Sequence, residues 1–183
     1  LTAGALHSEH VVLLSGGSLA SNAALRQDAA GVWEIHGDPT EAAFLVAERK
    51  LNLQEWRGRR FERVGEIPFS SERKMMSTLA IDHEDGDRPL LISKGAPDVL
   101  LERCTHARLG MDIVPLDERL RAAALAEVDR LTEEALRTLA VAMRVVPASA
   151  LDGGVPDDLE EELILLGFVG MIDPPRAEAK AAV

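Results

Sequence analysis

The sequence predicts an α+β domain: an antiparallel β-sheet of about six strands flanked by helices. Three observations lead there. Strand-like runs that are neighbours along the chain, such as residues 74–82 and 88–94, are joined by a short turn-rich loop, as in a hairpin. Helical patterns cluster between strand runs, without the strict alternation that marks a doubly wound parallel sheet. Finally, 46% of the 183 residues are apolar, with four Phe, two Trp and no Tyr, which is enough for one domain with an aliphatic core.

Residues 5–28 read as two short helical pieces broken at Gly16–Gly17. GVWEIHG (31–37) is strand-like. In GDPTEAAFLVAERKL, Thr40 reads as an N-cap, although Asp38-Pro39 also sets a turn. Glu41, Ala43, Phe44, Ala47 and Leu51 then give a helix with one apolar side. RFERVGEIPF (60–69) alternates as an exposed strand does, and KMMSTLAID (74–82) and RPLLISK (88–94) are strands joined by HEDGD. APDVLLERC is a helix with Pro97 in its first turn and Asp98 beside it, both favoured there. Residues 117–137 form the longest helix, with Leu120, Ala124, Val128, Leu131 and Ala135 on one stripe. TLAVAMRVV is a strand, PASALDGGVPDDLEEE a polar loop, and LILLGFVGMID a last apolar strand ending at DPPR; the tail AEAKAAV is helix-prone. No internal repeat, low-complexity segment or mid-chain linker interrupts this order.

Twenty basic residues against 31 acidic give a net charge of −11, which argues against a nucleic-acid partner and requires any anion site to be locally basic. The single Cys104 excludes an internal disulfide and fits a reducing compartment. No apolar run reaches the roughly 18–20 residues that span a bilayer, so direct membrane contact is not expected. The first ten residues carry neither a signal pattern nor an initiator Met, and the sequence is expected to be a piece of a longer chain.

Catalytic motifs are scarce. There is no G-x-x-x-x-G-K-[ST] loop, no G-x-G-x-x-G and no Cys/His pair at metal spacing. DHEDGD (82–87) reads as a solvated hairpin tip or as a divalent-cation site. Three stretches carry more chemistry. In EIPFSSERKMMS (66–77), Phe69 ends a strand and Arg73 and Lys74 open the next; an aromatic face near a cation suits a stacked base and a paired phosphate, while the plainer reading is a core plug with surface charges. In SKGAP, Lys94 ends a strand and either snorkels into solvent or serves a ligand, and Gly95 permits close backbone approach or a positive φ. In GDPTEAA, Glu41 is at least a first-turn helix acid.

GDPTEAA, FSSERKMMS, KGAPD, LRTLAVAMR and GMIDPPR occur in the order and approximate spacing of P-type cation-transporting ATPases. From about Leu13 to Arg176 the chain resembles the nucleotide-binding domain of these pumps, most like the calcium-pump branch. The resemblance implies ATP as ligand, with Mg2+ in the whole pump, and phosphorylation and actuator domains of the same pump as partners. It implies that Phe69 stacks on adenine, that Lys74 lines the cleft with Met76 on its wall, and that Lys94 and Gly95 close the adenine end. Glu41 would reach the adenine amino edge, and Arg137 the phosphates. Lys94 would then supply a cation at the rim of the slot, and Gly95 would let the base lie against the main chain. Residues 1–172 would form the ATP-binding domain of a cytoplasmic portion, with 173–183, including Asp173 and Arg176, the hinge back to the phosphorylation domain. Two departures stand out: Ser71 occupies a place where some relatives carry Arg, and Asp98 one where Glu is usual. The phosphorylated aspartate of D-K-T-G-T is absent from this sequence, so the piece is expected to bind ATP weakly, at about 0.1–10 mM, and not to hydrolyse it alone. Two rival readings are a free-standing metal-dependent hydrolase using Asp82, Asp85 and Asp87, and an interaction module without nucleotide binding.

Overall fold

The glycine pair that reads as a helix break is where the first helix packs most closely. The computed structural model describes residues 3–151 and 157–172; Asp173, Arg176 and the tail lie outside these. Helix α1 (Ala3–Leu19) runs unbroken through Gly16 and Gly17. A Cβ on Gly17 would lie 2.1 Å from the ring of Phe44, on helix α2 (Pro39–Lys50), and one on Gly16 would lie 3.4 Å from Val141. Tertiary packing therefore overrides the poor helix propensity of glycine. The second expected helical piece is instead strand β1 (Ala24–Gln27), paired antiparallel with β2 (Trp33–His36). Asp38, rather than Thr40, caps α2: its carboxylate accepts the Thr40 N–H at 2.7 Å, with Pro39 in the first turn.

After the short helix α3 (Gln54–Arg60) come β3 (Phe61–Ser70), β4 (Met75–Asp82) and β5 (Arg88–Gly95), then α4 (Pro97–Arg103). A hairpin, β6 (Cys104–Leu109) and β7 (Asp112–Pro115), precedes α5 (Glu118–Glu133), and the chain finishes with β8 (Arg137–Val145) and β9 (Leu163–Met171). The main sheet has seven strands in the order β3-β4-β5-β8-β9-β6-β7. Every pairing is antiparallel except β6 with β9. The α+β class stands, with one more strand in the sheet than expected and a separate two-stranded sheet. The polar loop before β9 includes short 3-10 turns at Ala148–Leu151 and Asp157–Glu160.

Alternation along the strands gives the sheet two apolar faces. One face packs Leu19, Phe44, Ala80, Leu90, Ile92 and Val141 under α1 and α2. The other packs Met75, Leu79, Leu91, Leu100, Leu101 and Leu163 under α4, with Leu120 and Ala124 of α5 against it. Register brings the ends of β3, β5 and β9 and the starts of β4 and β8 to one end of the sheet, with Gly95 opposite both Met75 and Ala140 and Arg137 opposite Met171.

Cys104 is 2% exposed, and burial pushes its thiol up to about 12 from an ordinary 9.0, with Arg121 opposing. The unfolded chain ionises first, so this contribution is intact below pH 9 and is lost as pH climbs towards 12, at up to about 1.4 kcal/mol per unit. Urea unfolding at pH 8 and pH 10 should therefore show a stability loss that Cys104→Ala reduces by about 1 kcal/mol. Equal losses in the two proteins would refute this.

Candidate nucleotide site

The α1/α2 face of the sheet carries a buried ion pair at the motif-bearing end. Lys94, the penultimate residue of β5, is 4% exposed. Its Nζ lies 3.0 Å from Glu41 Oε1 and 5.4 Å from the centre of the Phe44 ring, within cation–π range. Lys94 is thus in the floor of the site, where a rim cation was expected: even-numbered residues of β5 point into the α1/α2 core, and Glu41 and Phe44 of α2 meet it there. Burial pushes the Lys94 ammonium below the ordinary lysine value, against the attraction of Glu41. Glu41 is the partner that holds this ammonium in the core. Glu41 is fixed from its other oxygen, which accepts the backbone N–H of Asn22 at 2.9 Å. Each carboxylate oxygen keeps a lone pair for a further donor.

Met76 pairs with Lys94 across the β4–β5 ladder and is 1% exposed, so it floors the site from within the core. Lys74 is exposed in the turn between β3 and β4, at a φ of 53°. Its backbone N–H donates to the Ser70 carbonyl and its own carbonyl accepts from Ala96, which ties this turn to the end of β5. A Cβ on Gly95 would lie 2.5 Å from that same Lys74 carbonyl oxygen. Gly95 does not adopt a positive φ. The close backbone approach it permits in this structure is that of β4, where the sequence reading expected a ligand.

Phe69 is 60% exposed. The core-plug reading fails, because the β3–β4 register shifts between Ile67 and Ser70 and the benzyl group stands outward from the shift. Arg137 is exposed at the start of β8, with Pro39 and Thr40 lining the same cavity. Burial raises the Asp38 carboxyl, but its hydrogen bonds to Thr40 and Glu41 and the Arg137 charge hold it below the ordinary value. The structure therefore brings Glu41, Met76 and Lys94 into contact distance through the α2–β4–β5 layer, sets Lys74 and Gly95 against each other at the sheet end, and leaves Phe69 and Arg137 projecting from that end.

One neighbour escaped sequence reasoning. Arg63 donates to the Ser21 carbonyl at 2.8 Å and to Asn22 Oδ1 at 2.7 Å, and pairs with Glu66. It braces the segment that holds Glu41. The only signal for it was an Arg-x-x-Glu spacing on a strand, which any solvated strand shows.

The acids of the metal-hydrolase reading are spent elsewhere. Asp82 takes a two-point grip from Arg60 at 2.8 and 2.6 Å, Asp87 meets His83 at 2.6 Å, and Asp85 meets Arg88 at 3.1 Å. Among the described residues no group of three or more His, Cys, Asp or Glu is placed to hold a metal ion, and no helix is long and apolar enough to cross a membrane.

An α+β domain with these motifs at one sheet end defines a class. The sequence profile of the P-type ATPase cytoplasmic domain N matches residues 9–178, and the chain belongs to that family. It is 43% identical over 148 residues to calcium-transporting ATPase 1 of Bacillus cereus, covering 80% of this chain and 16% of that protein. It is 39% identical over 178 residues to the probable cation-transporting ATPase F of Mycobacterium tuberculosis, covering 93% of this chain and 18% of the other. With the calcium-transporting ATPase of Bacillus subtilis it shares 37% identity over 156 residues, 84% of this chain and 17% of that one. The chain thus spans 16–18% of the length of these relatives.

Proposed function

We propose that residues 1–172 bind ATP by its adenine end and that residues 173–183 lead back to the rest of a cytoplasmic, ATP-driven cation pump. The exposed Phe69 carries this reading: a large apolar ring left in water at the sheet end where Lys74, Gly95 and Arg137 also lie. The base stacks on Phe69. Glu41 accepts from the exocyclic amine, and the Lys94 ammonium, paired with Glu41 beneath it, closes the adenine end with Gly95. Lys74 and Arg137 draw the triphosphate outward against a chain of net charge −11. With Mg2+ entering alongside the nucleotide, an aspartate carboxylate on the neighbouring phosphorylation domain attacks the γ-phosphorus and ADP leaves. This domain contributes positioning and no reacting group. Calcium is the favoured cargo, from the likeness to pumps named for it.

Titrating 15N-labelled protein with ATP checks the site. Amide shifts are expected in residues 66–77 and 93–96, at millimolar-range affinity. Shifts that spare both segments would reject the reading, as would ATP turnover by the isolated chain.

A further inference from the structure

On the face of the sheet opposite the site sits a carboxylate with 1% exposure, and its side-chain bonds lead to segments the site uses. Glu160 closes the 3-10 turn that precedes β9. Arg73 places its Nη2 against both carboxylate oxygens, and Ser77 Oγ donates to Oε1 at 2.6 Å. Ser77 Oγ in turn lies 2.7 Å from Ser93 Oγ, and both serines are fully buried. Arg73 continues the chain of bonds: Nη1 donates to the Pro68 carbonyl at 3.2 Å, and its backbone N–H donates to Ser70 Oγ at 3.1 Å.

The sequence positions give this network its meaning. Pro68 immediately precedes Phe69, Arg73 precedes Lys74, Ser93 precedes Lys94, and Ser77 follows Met76. In β4 and β5, odd residues face the back of the sheet and even residues the front, so the network grips from behind the strands whose next side chains form the floor. The Phe69 segment needs such a grip most. The β3–β4 register shifts between Ile67 and Ser70, so Pro68 and Phe69 lie where the regular ladder to β4 is interrupted. The Arg73 guanidinium, itself held by Glu160, is bonded to the backbone at that interruption. An ion pair buried like this is seldom the most stable filling for its space. What it adds is a fixed direction, because a guanidinium clamped by a carboxylate has little freedom left.

We propose that Glu160 is a positioning residue for the nucleotide face, fixing the Phe69–Lys74 turn through Arg73 and the Met76 and Lys94 strands through Ser77 and Ser93. The proposal rests on the reading of this face as the ATP site. Its test compares the full 183-residue chain with Glu160→Gln and Arg73→Gln, each titrated with ATP and with adenosine. Expected is a loss of about three- to tenfold in affinity for both ligands alike, since displacing a stacking ring harms the base end they share. The Phe69 ring and amide resonances should move before any ligand is added, while resonances of β6 and β7 stay in place. A residue acting on the phosphates would spare adenosine, and a merely structural one would lower the urea midpoint without moving Phe69; either result overturns the proposal, as does wild-type affinity in both variants. Should Glu160→Gln fail to fold, Arg73→Gln and Ser77→Ala decide the matter. If the wild-type chain itself gives no nucleotide shifts near Phe69, the ATP reading fails, and the ligand-free Phe69 resonances still decide whether Glu160 positions that ring.

Discussion

Phe69→Ala is expected to remove most of the nucleotide affinity while leaving the stability of the domain almost unchanged. The two effects separate because the ring is 60% exposed and so contributes little burial to folding. Stacking a base on such a ring is worth about 1–3 kcal/mol, which corresponds to roughly five- to 150-fold in affinity. From a starting point in the millimolar range, that puts the variant beyond practical measurement. Phe44 makes the contrast: it is 1% exposed, packed against Gly17, and its loss would cost about 3–5 kcal/mol of folding energy. Parallel amide-shift titration and urea unfolding on Phe69→Ala read both quantities. Retained affinity, or a midpoint drop like that of a core substitution, would sink the assignment of Phe69 to a ligand.

That separation also shows what sequence alone conveys. Phe69 beside Pro68 and ahead of two cations is equally a core plug or a stacking platform, because exposure is decided by a register shift that no local pattern announces. Order and spacing of short motifs supplied the identity instead: FSSERKMMS, KGAPD and LRTLAVAMR fall where strands begin or end at one end of the sheet, and GDPTEAA opens α2. The long strands and α5 were legible from periodicity, and Leu120 and Ala124 do face the core. Gly16 and Gly17 misled because their role is absence of volume, beneath Phe44 for Gly17 and against Val141 for Gly16, and both partners are distant in the chain. The β6–β7 hairpin was missed because its short strands alternate weakly, with Met111 and Ile113 left exposed. Glu160 gave no signal at all: one of three consecutive glutamates in a polar stretch, it is buried only because Arg73 and Ser77 converge on it from 87 and 83 residues away. Lys94 was placed correctly at a strand end, but only the packing of α2 decides that it lies under the site, paired with Glu41.

Gly95→Ala should weaken folding and binding together. Two explanations for a glycine at this strand end predict different results. If it exists to admit a ligand to the backbone, the free protein should tolerate alanine and only binding should suffer. The geometry points the other way: the added Cβ would sit 2.5 Å from the Lys74 carbonyl oxygen and 2.8 Å from Met75 Cα. Both are backbone atoms, so neither can swing aside. The Lys74 carbonyl is also held by the Ala96 N–H, and relieving the clash means opening the β4–β5 ladder at its last pair. Overpacking of this kind costs typically about 1–3 kcal/mol. The urea midpoint of Gly95→Ala without any nucleotide should therefore fall. Affinity should fall as well, because Lys74, in the turn leading into β4, and Lys94, on β5, are forced apart and can no longer serve one ligand together. An unchanged midpoint combined with lost binding would reverse the assignment, making Gly95 a contact for the base and β4 an incidental neighbour.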